Sequence, residues 1–105
     1  MLGRTEIDGW HSFRLITADR AREDRALAEV AVLVDRGLMA PDTPLFVATK
    51  RNDAPWPDVL VAVPLTHAEM TAWCRGDRSV VRDIVAALEE GYDEKMAAAR
   101  AGEAT

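Results

Sequence analysis

The stretch DVLVAV, residues 58–63, constrains the fold of this chain more than any other feature of the sequence. From Val59 to Val63 its residues are apolar at both odd and even positions, so a strand built from them is hydrophobic on both faces. We therefore expect the central strand of a sheet, with cover on both sides. The cover would come either from helices on both faces or from a second copy of the protein, and we favour a dimer.

A second strand is predicted at WHSFRLI, residues 10–16, where apolar and polar side chains alternate. Alternation places His11, Phe13 and Leu15 on one face, and Trp10 on the opposite face. A third strand is predicted at LFVAT, and the loop KRNDAPWP then joins LFVAT to DVLVAV as an antiparallel hairpin.

Helical periodicity predicts three helices, at about residues 19–38, at 66–75, and from 77 or 79 to about 100. The order β-α-β-β-α-α predicts an α+β fold, in which a small, three-stranded, largely antiparallel sheet is packed with helices. We expect residues 1–100 to form a single domain and residues 101–105 to form a flexible tail.

Composition excludes several classes of function. The net charge of −5 and the absence of a basic stripe argue against nucleic-acid binding. No apolar run is long enough to cross a membrane, and MLGRTEIDGW lacks the layout of a signal peptide. With Cys74 as the one cysteine there is no internal disulfide, so we expect a cytoplasmic protein. The acidic run from Glu89 to Glu94 predicts a solvated helix face.

The stretch PLTHAEMTAWCRGD resembles a catalytic site but is better explained as a capped helix. Thr66 and Glu69 fit the capping box, in which each side chain bonds the other residue's backbone amide. His67 and Cys74 lie about 10 Å apart along a helix axis, too far for a catalytic pair. A zinc site would need a second cysteine, so we predict no metal site, and we expect Cys74 to be buried.

His11 is the one candidate catalytic residue, and two interpretations of it stay open. It is either a core or interface histidine bonded to the backbone, or a base paired with Asp53 or Asp58. The second interpretation requires the strand at residues 10–16 to lie beside the hairpin loop.

The loop RNDAPWPD, residues 51–58, holds Trp56 between two prolines, which stiffen the backbone around it. An exposed, preorganised tryptophan beside Arg51 and Asp53 is typical of a binding hot spot, although the indole could instead fold back over the sheet. The predicted partner-binding residues are Trp10, Arg51, Asp53 and Trp56.

The full chain, and especially GWHSFRLITADRAREDRALAEVAVLVDRGL, resembles the small accessory subunit of the flavin-dependent cyclodipeptide oxidases of actinobacterial natural-product clusters. The similarity lies in size, character and segment order, and it carries over no functional residue. It implies a non-catalytic subunit of a hetero-oligomer, with no cofactor of its own. The FMN and the oxidation of Cα–Cβ bonds in cyclic dipeptides would belong to a larger partner with a nitroreductase-like fold.

The residues leave two other functions open. The chain could be a stand-alone, dimeric α+β enzyme or ligand-binding protein that uses His11 and an aspartate. It could also be an immunity or antitoxin protein, since its acidic balance suits that class equally well.

Overall fold

The computed structural model describes residues 9–24, 27–52 and 57–103, and these ranges contain three strands and four helices. The strands are β1 (Trp10–Thr17), β2 (Pro44–Lys50) and β3 (Val59–Pro64). The helices are α1 (Ala18–Ala21), α2 (Ala28–Asp35), α3 (His67–Cys74) and α4 (Arg78–Glu103). The order β-α-α-β-β-α-α confirms the α+β fold expected from the sequence.

The sheet is antiparallel throughout, with strand order β1-β2-β3. The hairpin between β2 and β3 is confirmed, with Phe46 opposite Val63. The prediction that DVLVAV forms the central strand is wrong, because β1 pairs with β2 and leaves β3 at the edge. The central strand is β2, whose first five residues are all buried.

Helices cover both faces of the sheet, which explains why β3 is apolar on both faces. The face under α3 and α4, here called the aromatic side, has a core formed by Trp10, Phe46, Ala48, Val61, Leu65, Trp73, Ile84 and Leu88. The opposite face under α1 and α2, here called the aliphatic side, has a core formed by Ala18, Ala21, Leu27, Val30, Val34, Leu45 and Val47. Helices of the same chain therefore provide the cover, and dimerisation stays a prediction.

A bulge in β1 changes the alternation that the sequence predicts. The pairing register with β2 shifts between His11 and Arg14, and Ser12 has a positive φ of 60°. A bulge adds one residue to a strand and so exchanges the faces of the residues beyond it. Trp10 consequently packs on the same side as Phe13, which corrects the prediction that the two lie on opposite faces.

The single helix predicted over residues 19–38 is two helices in the structure. Helix α1 has four residues and is capped by Thr17, whose hydroxyl oxygen accepts a hydrogen bond from the Arg20 amide at 3.3 Å. Turn-type bonds follow, from the Glu23 amide to the Arg20 carbonyl and from the Asp24 amide to the Ala21 carbonyl. These bonds end the first helix before α2 begins.

Helix α2 ends in a Schellman motif, a turn that closes a helix with two backbone bonds. Gly37 has a φ of +74°, and its amide donates to the Val34 carbonyl at 3.0 Å. The Leu38 amide donates to the Leu33 carbonyl at 2.9 Å. This motif brings the residue after the glycine back toward the last turn of the helix, so Leu38 lies beside Leu33.

The helices α3 and α4 follow the prediction closely. The capping box is confirmed, since the Glu69 amide donates to the Thr66 hydroxyl oxygen at 3.0 Å and the Thr66 amide donates to the Glu69 carboxylate at 2.9 Å. Helix α4 has 26 residues and runs to Glu103, three residues into the expected tail. No helix in the described ranges has the length and apolarity needed to cross a bilayer.

Packing between α3 and the sheet corrects the prediction for Cys74. The residue of α3 that enters the core is Trp73. The centre of its ring lies 4.4 Å from the centre of the Phe46 ring, in an edge-to-face arrangement. The next residue along a helix is turned by about 100°. Cys74 is therefore exposed, not buried as predicted.

Candidate functional site

The loop that carries most of the predicted partner-binding residues leaves the sheet beside a compact group of polar and aromatic side chains. We call this group the Lys50 cluster, and its members are Trp10, Lys50, Asn52, Glu89 and Tyr92. Strand pairing places Trp10 opposite Lys50. Helix α4 contributes Glu89 and Tyr92, which lie on one face of the helix because they are three residues apart.

Lys50 sits between a carboxylate and two aromatic rings. Its Nζ lies 2.9 Å from Glu89 Oε1 and 3.0 Å from Glu89 Oε2. The same nitrogen lies 4.6 Å from the centre of the Tyr92 ring and 5.4 Å from that of Trp10. A cation over aromatic faces gains cation–π attraction in addition to the ion pair. These contacts connect the end of β2 to α4.

Glu89 is bound by two donors. Trp10 Nε1 donates to Glu89 Oε1 at 2.8 Å, in addition to the bonds from Lys50. Burial opposes ionisation of this carboxyl, but the hydrogen bonds from Lys50 and Trp10 and the charge of Lys50 outweigh it and lower the pKa of Glu89. The carboxylate and the ammonium satisfy each other, so the cluster provides rigidity and offers no unengaged base.

Asn52 ties the two ends of the loop together and anchors them to α4. Its Nδ2 donates to the Pro57 carbonyl at 2.6 Å, and its backbone amide donates to Asp58 Oδ1 at 3.4 Å. The hydroxyl of Tyr92 donates to Asn52 Oδ1. Both ends of the loop are therefore fixed relative to the sheet.

The four predicted partner-binding residues have different positions. Arg51 is exposed at the start of the loop, directly after the Lys50 cluster. Trp10 is fully buried and belongs to the core of the aromatic side. Asp53 and Trp56 lie outside the described residues. The partner-binding role of all four residues stays a prediction.

His11 is half-buried, and its surroundings differ from those of a paired catalytic base. Its Nδ1 lies 3.1 Å from the Ser12 hydroxyl oxygen, while its Nε2 is buried with no hydrogen-bond partner within the described part of the chain. Asp58 is exposed and bonds the Asn52 amide. Asp53, the other predicted partner, lies outside the described residues.

Among the other titratable groups in the described part of the chain, Asp77 has a structural role. Asp77 accepts from the Ser79 hydroxyl at 2.7 Å and from the Ser79 amide at 2.9 Å, and these bonds lower its pKa at the start of α4. Across residues 9–24, 27–52 and 57–103, no three His, Cys, Asp or Glu side chains group as metal ligands.

Sequence reasoning missed the Lys50 cluster. Glu89 was assigned to a solvated acidic face, although its carboxylate is bonded by Lys50 and Trp10. The available signal was the position of Lys50 at the end of an apolar strand, where a lone cation needs a partner.

Compared with family models, with curated proteins and with solved structures, the chain matches none of them.

Proposed function

We propose that this chain is a non-catalytic subunit that binds a larger enzyme through the loop of residues 51–58. The observation that carries the proposal is the anchoring of that loop by Asn52, which bonds Pro57, Asp58 and Tyr92. Arg51 is exposed beside this anchor.

Anchored loop ends favour binding because less conformational entropy is lost when a side chain beside the anchor, such as Arg51, meets a partner. Arginine and tryptophan are also the residue types that most often dominate binding energy at protein interfaces. Arg51 and Trp56 would both be presented by this anchored loop. The Lys50 cluster supports this role by holding the base of the loop on α4.

The resemblance noted in the sequence extends the proposal to the nature of the partner. The larger enzyme would carry FMN and dehydrogenate the Cα–Cβ bonds of cyclic dipeptides, as part of natural-product biosynthesis in an actinobacterial cytoplasm. This chain contributes no cofactor and no reacting group under the proposal. Its contribution is to complete the hetero-oligomer.

The test is native mass spectrometry of the protein purified from its source organism through a tag placed after residue 105. We expect a larger protein in fixed ratio, with the absorption spectrum of a bound flavin. A homodimer with no second protein attached would contradict the proposal.

Trp56→Ala gives the sharpest prediction for the loop. Removal of a hot-spot indole should weaken partner binding by about 2 kcal/mol or more, measured by titration calorimetry with the purified partner. Arg51→Ala should also weaken binding, and Arg75→Ala provides a matched control because Arg75 is an exposed arginine at the end of α3. Unchanged affinity with a large loss of thermal stability would show that Trp56 belongs to the core instead.

The Nε2 of His11, which has no hydrogen-bond partner among the described residues, favours one second candidate, a stand-alone enzyme. Under the subunit proposal, His11→Ala leaves the turnover of the whole assembly largely intact. His67→Ala is the matched control, because His67 is exposed at the start of α3. A collapse of turnover in the His11 variant alone, with folding and assembly preserved, would support the enzyme.

A further inference from the structure

We propose that a second copy of this chain packs against the outer face of α2, with the two helices antiparallel about a twofold axis. This inference is independent of the proposed function, because it concerns a different surface from the loop of residues 51–58. It identifies which face would carry self-association, and it gives the charged residues that would select that arrangement.

The first observation is an excess of apolar residues on α2. Val30 and Val34 face the sheet and are buried, together with Leu27 just before the helix. The opposite surface carries the large exposed apolar side chains of the described part of the chain: Val32 at 46% exposure, Leu33 at 36% and Leu38 at 70%. All three lie within seven residues of sequence.

The backbone brings these three residues close together. Val32 and Leu33 are neighbours on the helix, and the Schellman motif returns Leu38 to the side of Leu33. Single exposed apolar residues are common on protein surfaces, whereas a contiguous group indicates an interaction site. We call this group, with Glu29 and Arg36, the outer face of α2.

The second observation is the pattern of charge around the patch. Helical spacing places Glu29, Val32, Leu33 and Arg36 on one stripe, turned roughly 150° from the buried residues. Glu29, in the first turn of α2, also borders a hollow with Glu94 and Lys95 of α4. Glu29 and Arg36 are both exposed, and neither forms an ion pair among the residues the structure describes. Nearby, by contrast, Arg22 is paired with Asp35 at 2.6 Å.

This stripe is complementary to itself. When two copies of α2 lie antiparallel, with the twofold axis between positions 32 and 33, Val32 meets Leu33 of the other copy. The same operation places Glu29 of each copy against Arg36 of the other. A twofold interface requires this kind of self-complementarity. A parallel pairing of the same stripe would instead place Glu29 against Glu29 and Arg36 against Arg36.

The edges of the sheet offer a less favourable route to a dimer, because both are modified in ways that oppose strand addition. On β3, Lys95 Nζ donates to the Leu60 carbonyl at 3.0 Å, and Pro64 has no amide hydrogen to donate. On β1, the bulge at Ser12 interrupts regular pairing. Lysines, prolines and bulges are the usual means of protecting a sheet edge.

The contact is small, because the outer face of an eight-residue helix falls below the area of a standard stable interface. We therefore expect a reversible dimer whose population depends on protein concentration. The two Glu29–Arg36 pairs lie at the rim of the contact, so salt should weaken the dimer.

The test is sedimentation equilibrium of the full chain over a concentration series, with charge reversals in the stripe. Wild type should approach twice the monomer mass, while E29R and R36E should each remain monomeric because they place like charges together. The double variant E29R/R36E should recover dimerisation. D83R and R82E make the same charge changes at exposed positions on α4 and should dimerise as wild type does.

Leu38→Ser keeps the proposal testable if a reversal disturbs α2, because Leu38 follows the helix and is already 70% exposed. We expect about a tenfold or larger increase in the dimer dissociation constant, since each copy loses one leucine contact. A monomeric wild type at the highest concentration, an unaffected L38S dimer, or a folded E29R/R36E variant that stays monomeric would each overturn the proposal. Loss of a larger partner from E29R, with no change in self-association, would assign this face to that partner instead.

Discussion

The two sides of the sheet are built differently, although they share the same three strands. The aromatic side is covered by the 26-residue α4 and by α3, and its core contains Trp10, Phe46 and Trp73. The aliphatic side is covered by helices of four and eight residues, and its core contains only alanine, valine and leucine.

The two sides differ in how fully their apolar residues are covered by the same chain. On the aromatic side, the apolar residues of α4 pack against the sheet. Hydrogen bonds of the Lys50 cluster join α4 to the sheet at the edge of this core. On the aliphatic side, the apolar residues of α2 exceed what its contact with the sheet uses. The first side is therefore closed by residues of its own chain, and the second leaves Val32, Leu33 and Leu38 exposed.

The largest effect expected from this comparison comes from a pair of adjacent residues on β2. Phe46 and Leu45 are both buried, on opposite sides of the sheet. Phe46→Ala should lower the free energy of unfolding by about 3–5 kcal/mol, and Leu45→Ala by about 2 kcal/mol, because short helices can settle into the space that leucine leaves. Urea denaturation measures both.

Equal losses for the two variants would remove the distinction between the sides. If Phe46→Ala does not fold, Phe46→Leu provides a milder version of the same comparison with Leu45→Ala.

Gly91 gives a smaller effect that tests how closely α4 approaches β3. An ideal Cβ at Gly91 would lie 3.0 Å from Val61 Cγ1, and Val61 is buried in the core. Helix propensity alone predicts that Gly91→Ala stabilises by about 1 kcal/mol. Because Val61 has little room to move, we expect a destabilisation of about 1 kcal/mol instead, measured by thermal or urea unfolding.

The double variant Gly91→Ala with Val61→Ala checks the cause. The double variant should lose less unfolding free energy than the sum of the losses in the two single variants, since the added methyl group fills the space left at Val61. A Gly91→Ala variant more stable than wild type would show that α4 packs less tightly than described.

Glu89 gives the smallest effect, and it depends on pH. Since folding lowers the pKa of Glu89, the ionised carboxylate stabilises the fold above its ordinary pKa of 4.5. That contribution is lost as the pH falls through the lower folded value. Glu89→Gln should therefore cost about 0.5 kcal/mol at pH 7, with allowance for solvent screening at this partly exposed pair, and less as the pH drops below 4.

Glu90→Gln is the matched control, because Glu90 is the exposed neighbour on α4. Thermal unfolding between pH 3 and pH 7 separates the two variants. A difference between Glu89→Gln and wild type that stays constant with pH would show that the lost contacts are not those of a carboxylate.

Local features of the fold were predictable from the sequence, and long-range features were not. The capping box at Thr66 and Glu69, the hairpin and α4 depend on residues close in sequence, and the structure confirms each of them. Strand order depends on whether β1 pairs with β2 or with β3. The apolar pattern of DVLVAV indicates that both faces of the strand are covered, but it does not indicate whether the strand is central or at an edge.

The other errors have similar physical origins. The bulge in β1 places Ser12 at a positive φ, although neither glycine nor asparagine marks the position. The break between α1 and α2 has no proline or glycine, so helical periodicity continues across it in the sequence. In the candidate site, Lys50 and Glu89 meet only because β2 and α4 pack together, and their separation of 39 residues leaves no local pattern.

The hydrogen bond between Trp10 and Glu89 joins residues 79 apart in sequence, so the two sides of the sheet can form at different times during synthesis. Helices α1 and α2 precede β2 in the chain, so the aliphatic side can close as soon as the hairpin leaves the ribosome. The aromatic side has to wait for α4, and until then Phe46 and Trp10 lie on an uncovered face. Chaperones would therefore meet this protein as a half-closed sheet, with the aromatic side open.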